Sequence, residues 1–213
     1  MRSNSRADLG LVATLWSMLR TPVPRGHRGW LKLGWPLLLL FMLQVATGIL
    51  LSFYYQPSPG EAGESVRRIM RDVDWGWLVR GVHYWSAQGM VAFTLLQLGR
   101  ALIAGSWRGA ASGSWLIGLL LIPLVVLLAF SGELLRWDAP ACAMLARALD
   151  ASAHLPAVGP GLALLFRGGE EISATTLSRI HSAHTQFLPW LVFVLVIVNL
   201  TLLVRRRRAR QDG

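Results

Sequence analysis

The feature that most limits how this 213-residue chain can fold is its set of long apolar runs, which carry few charges. A helix needs ~20 apolar residues to cross the ~30 Å hydrocarbon layer of a bilayer. Four segments answer to that length. Residues 33–54 hold no charge. Residues 77–103 are less apolar and contain Arg80, His83 and Arg100. Residues 115–135 carry one acid, Glu133, at the far end. Residues 184–204 stop at four consecutive arginines, Arg205 to Arg208. Trp30, Trp35, Trp77, Trp107, Trp115 and Trp190 fall at or near the ends of these runs, where interfacial belts place tryptophan. The predicted fold class is an all-α membrane protein, a four-helix transmembrane bundle.

Composition removes the competing classes. With 54% hydrophobic and 15% charged residues the chain is too apolar for disorder and too sparsely charged for a soluble basic domain, so the net charge of +10 does not point to nucleic acid. One cysteine, Cys142, forms no intrachain disulfide and leaves the redox compartment unread. The positive charge instead gives orientation. Four spans put both termini on one side. That side carries Arg2, Arg6, Arg20, Arg25, Arg28, Lys32, Arg100, Arg108 and the five arginines after Val204, against Asp8 and Asp212, a balance of +11. The opposite side holds eight arginines and nine acids, a balance of −1. By the positive-inside rule both termini are expected in the cytoplasm, as in a bacterial inner membrane.

Residues 1–27 form an expected cytoplasmic amphipathic segment. Leu9, Val12, Trp16 and Leu19 make a helical stripe that ends at Thr21-Pro22. Its apolar run is short and interrupted, unlike a signal peptide. Residues 28–205 form the expected membrane domain and 206–213 a basic tail. Short helices are expected at 141–149 and 161–166, around the turn at Pro156 and Gly159-Pro160.

Depth can be counted from the outer helix ends at ~1.5 Å per residue. Gly48, His83, Gly132 and His184 then share one outer layer, two imidazoles from alternate helices and two glycines from the others. This suits a flat haem held edge-on, since imidazoles ligate haem iron axially and glycine lets a ring approach the backbone. Arg80, one turn before His83, is placed to pair with a propionate. The competing reading is a loop-facing histidine and glycines that only pack helices; the shared depth brings the haem reading level with it. Gly34 and Gly48 are fourteen residues apart, as are Gly118 and Gly132, which implies a second, cytoplasmic layer ~21 Å away. There the helices supply Gln97 and Asn199, neither a usual axial ligand.

These stretches are similar to the N-terminal four-helix half of cytochrome b, the membrane core of quinol:cytochrome c reductases and their photosynthetic relatives, and most of all to the split form. The resemblance covers residues 28–205 and is carried by LQVATGILLSFYYQPSPGEA (43–62), ESVRRIMRDVDWGWLVRGVHYWSA (64–87), GELLRWD (132–138), LPAVG (155–159) and ATTLSRIHSAHTQFLP (174–189). It implies two stacked b haems, the outer ligated by His83 and His184, lined by Gln44, Gly48 and Gly132, with Arg80 on a propionate. The inner ligand positions fall on Gln97 and Asn199, so one haem b is expected at the outer site and none at the inner. Split photosynthetic members attach a further haem through a cysteine at the position of Lys32, so that haem is not expected either. The family has an aromatic residue where His181 stands, which favours His184 as the ligand.

The function so implied is a membrane subunit of a respiratory or photosynthetic-type electron-transfer complex. It would carry electrons between quinol and redox partners through one bis-His haem near the outer face. The alternative is a haem-less, non-catalytic scaffold subunit. Expected partners are membrane lipid, quinol or quinone, and other redox subunits. These include a chain supplying the C-terminal half of cytochrome b, to which the loop motif of the outer quinone site belongs, or an iron-sulfur or cytochrome c partner. Glu133 is either a proton-handling group or an interfacial acid without a role. His27 and His154 are expected to be solvated, as is the pair Glu170-Glu171.

Overall fold

The computed structural model describes residues 34–103 and 112–209, and within them the chain is helical throughout, joined by short turns. The expected helix at 8–20 lies outside the described residues, as do His27 and Lys32. The elements are α1 (Gly34–Ser52), α2 (Ala62–Arg71), α3 (Gly76–Ile103), α4 (Ser112–Leu134), α5 (Ala139–Ala153), α6 (Gly159–Arg167), α7 (Ala174–Ser182), a π turn (Ala183–Phe187) and α8 (Leu188–Ala209).

Two helical stretches are long and apolar enough to cross a membrane, Gly113–Leu134 and the continuous run Ala174–Leu202, and Pro36–Ser52 is a shorter apolar helix. At 28 residues α3 has the length, but its polar residues keep it below that level of hydropathy. The four long helices, α1, α3, α4 and α8, converge on one core. Phe41, Met90, Val125 and Val192, one from each, are buried together. Helix α1 packs on α3, α3 on α4, and α4 on α8. Their outward faces stay apolar: Leu39, Ile49, Leu95, Leu96, Leu120 and Val194 are all exposed. In water such surface would drive association; lipid is the solvent that suits it.

A second cluster caps the bundle. Leu145 and Leu149 of α5 bury against Leu134 at the end of α4 and Ile180 of α7. Asp138 starts α5 by accepting the Ala141 N–H at 2.9 Å, satisfying one of the donors a helix start leaves unpaired. Both loop helices run longer than the expected 141–149 and 161–166. Helix α2 was not foreseen at all. It is a ten-residue surface helix whose face of Ala62, Ser65 and Ile69 is buried. Gly76 is needed where α3 starts, because a Cβ there would sit 2.1 Å from the Ile69 carbonyl oxygen.

The last long helix starts further ahead of His184 than the turn or two expected before that apolar run. It begins at Ala174, with a Ser173–Thr176 capping box, and passes through the π turn before α8. The cause is local. Pro189 has no N–H to give and its ring would clash with the carbonyl four residues back. The chain widens by one residue ahead of it, so that the Leu188 N–H bonds the Ala183 carbonyl. Such π turns recur at functional sites, and this one carries His184. Helix α8 continues to Ala209, through the arginine run that was assigned to a separate tail.

Candidate functional site

Between the central core and the outer cap lies a cavity of about 290 Å3, lined from α1, α3, α4 and the π turn by Gln44, Gly48, Arg80, His83, Gly132 and His184 among others. All six residues singled out in the sequence therefore meet at one place. The two imidazoles face each other across it, with ring centroids 6.3 Å apart and planes at 70°.

Each imidazole is tethered by a hydroxyl from a neighbouring helix. Thr47 Oγ1 lies 2.9 Å from His83 Nδ1, and Ser131 Oγ lies 3.0 Å from His184 Nδ1. Both hydroxyls already donate along their own helices, Thr47 to the Leu43 carbonyl and Ser131 to the Leu128 carbonyl. Each oxygen then has lone pairs left for the ring, an arrangement that assigns the proton to Nδ1. The remaining nitrogen, Nε2, is then the unprotonated one, the form that binds metals. Thr47 and Ser131 are each 8% exposed, so solvent competes little for these bonds. Neither residue was picked out from the sequence. The signal was present, since a hydroxyl residue directly precedes each outer glycine, Thr47-Gly48 and Ser131-Gly132.

The glycines have a steric reason. A Cβ on Gly132 would lie 2.8 Å from His184 Cε1, and one on Gly48 would lie 3.3 Å from His83 Cε1. Any side chain at 132 would displace the ring beside it. Gln44 holds α3 in register by donating from Nε2 to the His83 carbonyl at 2.5 Å and to Ser86 Oγ at 2.7 Å. Among the described residues Arg80 reaches the Met70 thioether, at 3.6 Å, a weak acceptor.

His181 lines the same cavity but is held differently. It stacks on Tyr55, with centroids 5.5 Å apart and planes at 18°, while the Tyr55 hydroxyl donates to the Leu135 carbonyl. Burial holds the Tyr55 phenol well above its usual range. Glu133 is ion-paired with Arg136 at 3.0 Å. His154 is exposed beside Asp150, and Glu170 and Glu171 are exposed as expected.

The inner layer is built from other chemistry. Asn199 accepts from Ser114 Oγ, which ties α8 to α4, and Gln97 accepts from Arg100 Nη2 at 3.3 Å on the same helix. A Cβ on Gly118 would meet nothing within 4 Å.

Comparison with known proteins gives this arrangement its context. Residues 18–207 match the family model of cytochrome b/b6/petB. The chain is 37% identical over 175 residues to cytochrome b6 of Synechococcus sp. (strain JA-3-3Ab), covering 82% of this chain and 81% of that protein. It is 35% identical to cytochrome b6 of Synechocystis sp. (strain ATCC 27184 / PCC 6803 / Kazusa), covering 82% and 78%. Its fold is similar to that of a chain of a hyperthermophilic respiratory complex III, with TM-score 0.75 and 24% identity, over 94% of this chain and about half (52%) of that one. By the extent and identity of these matches, the chain belongs to the cytochrome b/b6 family, whose members are integral membrane proteins that bind haem b.

Proposed function

We propose that this protein is the electron-carrying membrane subunit of a quinol-oxidising complex, holding one haem b between His83 and His184 near the outer face. The carrying observation is the imidazole pair. The two rings stand 6.3 Å apart, centroid to centroid, in the lining of one cavity, so both would be within reach of a single group held between them. The donor set fits the group in its other parts too. Both rings have Nδ1 committed to a hydroxyl, and the helices beside them carry glycine where a side chain would intrude. When bound, haem b supplies one-electron exchange. The chain's own residues do the rest. Thr47 and Ser131 set the tautomer and aim of each ring, Gln44 fixes the turn that carries His83, and Arg80 offers a cation at the rim.

Absence of an inner haem is supported by the chemistry of the second layer. It has two amides in place of imidazoles, and they are engaged by Ser114 and Arg100. The residues before the inner glycines are Leu33 and Ile117, so no hydroxyl stands where Thr47 and Ser131 stand in the outer layer. Four spans over residues 28–205, with both termini cytoplasmic, agree with the four-helix core and the charge asymmetry of the sequence. The partners of this reading are lipid around the apolar faces, quinol, and redox subunits that complete the quinone site.

The test is spectroscopic. The full-length protein is purified from haem-replete membranes, and the reduced-minus-oxidised spectrum and pyridine haemochrome are quantified per chain. One low-spin b haem per chain is expected, and it should be lost in His83→Ala and in His184→Ala. A preparation without a b-type band refutes the reading in favour of a haem-less scaffold; two haems per chain refute the loss of the inner site.

A further inference from the structure

The cavity rim carries a second guanidinium. Arg136 follows the end of α4, on the turn before α5, and lines the same cavity as Arg80. It is ion-paired with Glu133 at 3.0 Å and lies 3.5 Å from Asp138, with one-third of its side chain exposed. Its Nε, the atom that faces Asp138 Oδ2 across that 3.5 Å, is shut off from solvent and makes no well-formed hydrogen bond among the described residues. A buried donor left unpaired is costly, and an arginine is built to grip a carboxylate through two parallel N–H bonds. Arg80 spends a donor on a thioether. Two guanidiniums, one on α3 and one on the turn after α4, therefore keep donor capacity in reserve at the mouth of one cavity, and a haem presents two carboxylates at one edge.

We infer that Arg136 is a positioning residue for the haem, holding a propionate alongside Arg80 and biasing the haem toward its reduced form. The inference rests on the haem reading above. Reduction adds an electron close to the rim, so a fixed cation there favours the ferrous state. Glu133 and Asp138 temper that charge. Screened at the rim, one unit charge is worth roughly tenfold in the reduced-to-oxidised ratio, or about 59 mV for a one-electron couple.

Optical redox titration and haem transfer to excess apomyoglobin test this on the purified full-length protein. Arg136→Gln should lower the midpoint potential by up to that amount and hasten haem loss about tenfold. Arg136→Lys should restore most of the potential, because the charge returns, but not the retention, because the fork does not. Glu133→Gln should raise the potential and slow haem loss. Arg136→Gln with wild-type potential and wild-type haem loss overturns the inference. If that variant fails to accumulate, Glu133→Gln decides alone, and an unshifted potential overturns the inference equally. A wild-type protein lacking the b-type band sinks the function proposed above instead, so the two failures are distinguishable.

Discussion

Thr47→Val is the most informative single substitution, because it preserves shape and removes one oxygen. In the native protein that oxygen donates to Leu43 and accepts from His83 Nδ1 at 2.9 Å, at a site where Thr47 is 8% exposed. Valine leaves the imidazole N–H facing a methyl group. A buried donor without an acceptor costs ~1–3 kcal/mol. At tenfold per 1.4 kcal/mol this weakens haem binding by roughly five- to hundredfold, the range typical of outer-shell partners of metal-binding histidines. The proton is also freed to sit on Nε2, the nitrogen needed by the metal. The assay is the rate of haem transfer to excess apomyoglobin, with far-UV circular dichroism to confirm that helix content is unchanged. Thr47→Ser keeps the hydroxyl and should behave nearly as wild type. If Thr47→Val retains haem as well as wild type does, the tether has no part in ligation. If serine and valine are equally damaging, the lost methyl packing and not the hydroxyl is responsible, and the tautomer argument fails.

Other consequences are direct. Gly132→Ala should lower haem content more than Gly48→Ala, because its Cβ would lie 2.8 Å from His184 Cε1 against 3.3 Å from His83 Cε1 at the other site. Overpacking costs ~1–3 kcal/mol, and equal haem content in the two variants would contradict the steric ranking. Asn199→Leu should lower stability by ~0.5–1.5 kcal/mol through loss of the α4–α8 hydrogen bond and leave haem per chain unchanged; a fall in haem content would show that the inner layer takes part in binding it. The Tyr55 phenol has its folded-state pKa raised by burial, so its contribution to stability is complete below the ordinary phenol value of ~10 and fades as pH rises beyond it. Thermal melts in detergent from pH 8 to 11 should show a steeper alkaline loss for wild type than for Tyr55→Phe.

The outer site was legible in the sequence because its parts repeat with the helix period. Depth counting needs only a helix end and a rise per residue, and it placed Gly48, His83, Gly132 and His184 in one layer before any contact was known. What escaped was set by local backbone chemistry or by neighbours distant in the chain. Pro189 forces the π turn through a clash with the preceding turn, and a count in steps of 3.6 residues cannot register one added residue. The Thr47 tether links α1 to a ring 36 positions later, and Ser131 reaches one 53 positions later. Neither partner could be named until the helices were packed. Helix α2 was hidden because its polar, ion-paired face of Glu61, Glu64, Arg67 and Arg68 reads as a loop in a chain dominated by apolar runs. Arg136 was counted only as an outer charge, since nothing in the heptapeptide GELLRWD says that its guanidinium turns toward a cavity.

If the outer layer holds a haem as proposed, the two layers separate what holds the bundle from what holds the cofactor. Both share the same framework, two glycines fourteen residues apart on each of two helices. If the glycines alone made a haem site, the inner layer would qualify as well as the outer one. The difference lies in the residue beside each glycine. In the outer layer a hydroxyl there fixes an imidazole proton on Nδ1; in the inner layer leucine or isoleucine stands there, with amides in place of imidazoles. The inner polar residues make small local contacts, Ser114 with Asn199 and Gln97 with Arg100, and Arg100 Nε is left without a hydrogen-bond partner among the described residues. Fourteen residues of helix, ~21 Å, would then separate the proposed haem layer from the second one. On the function proposed above, such a subunit would exchange its electron with partners at the outer half of the membrane, and crossing the bilayer would fall to some other group in the complex.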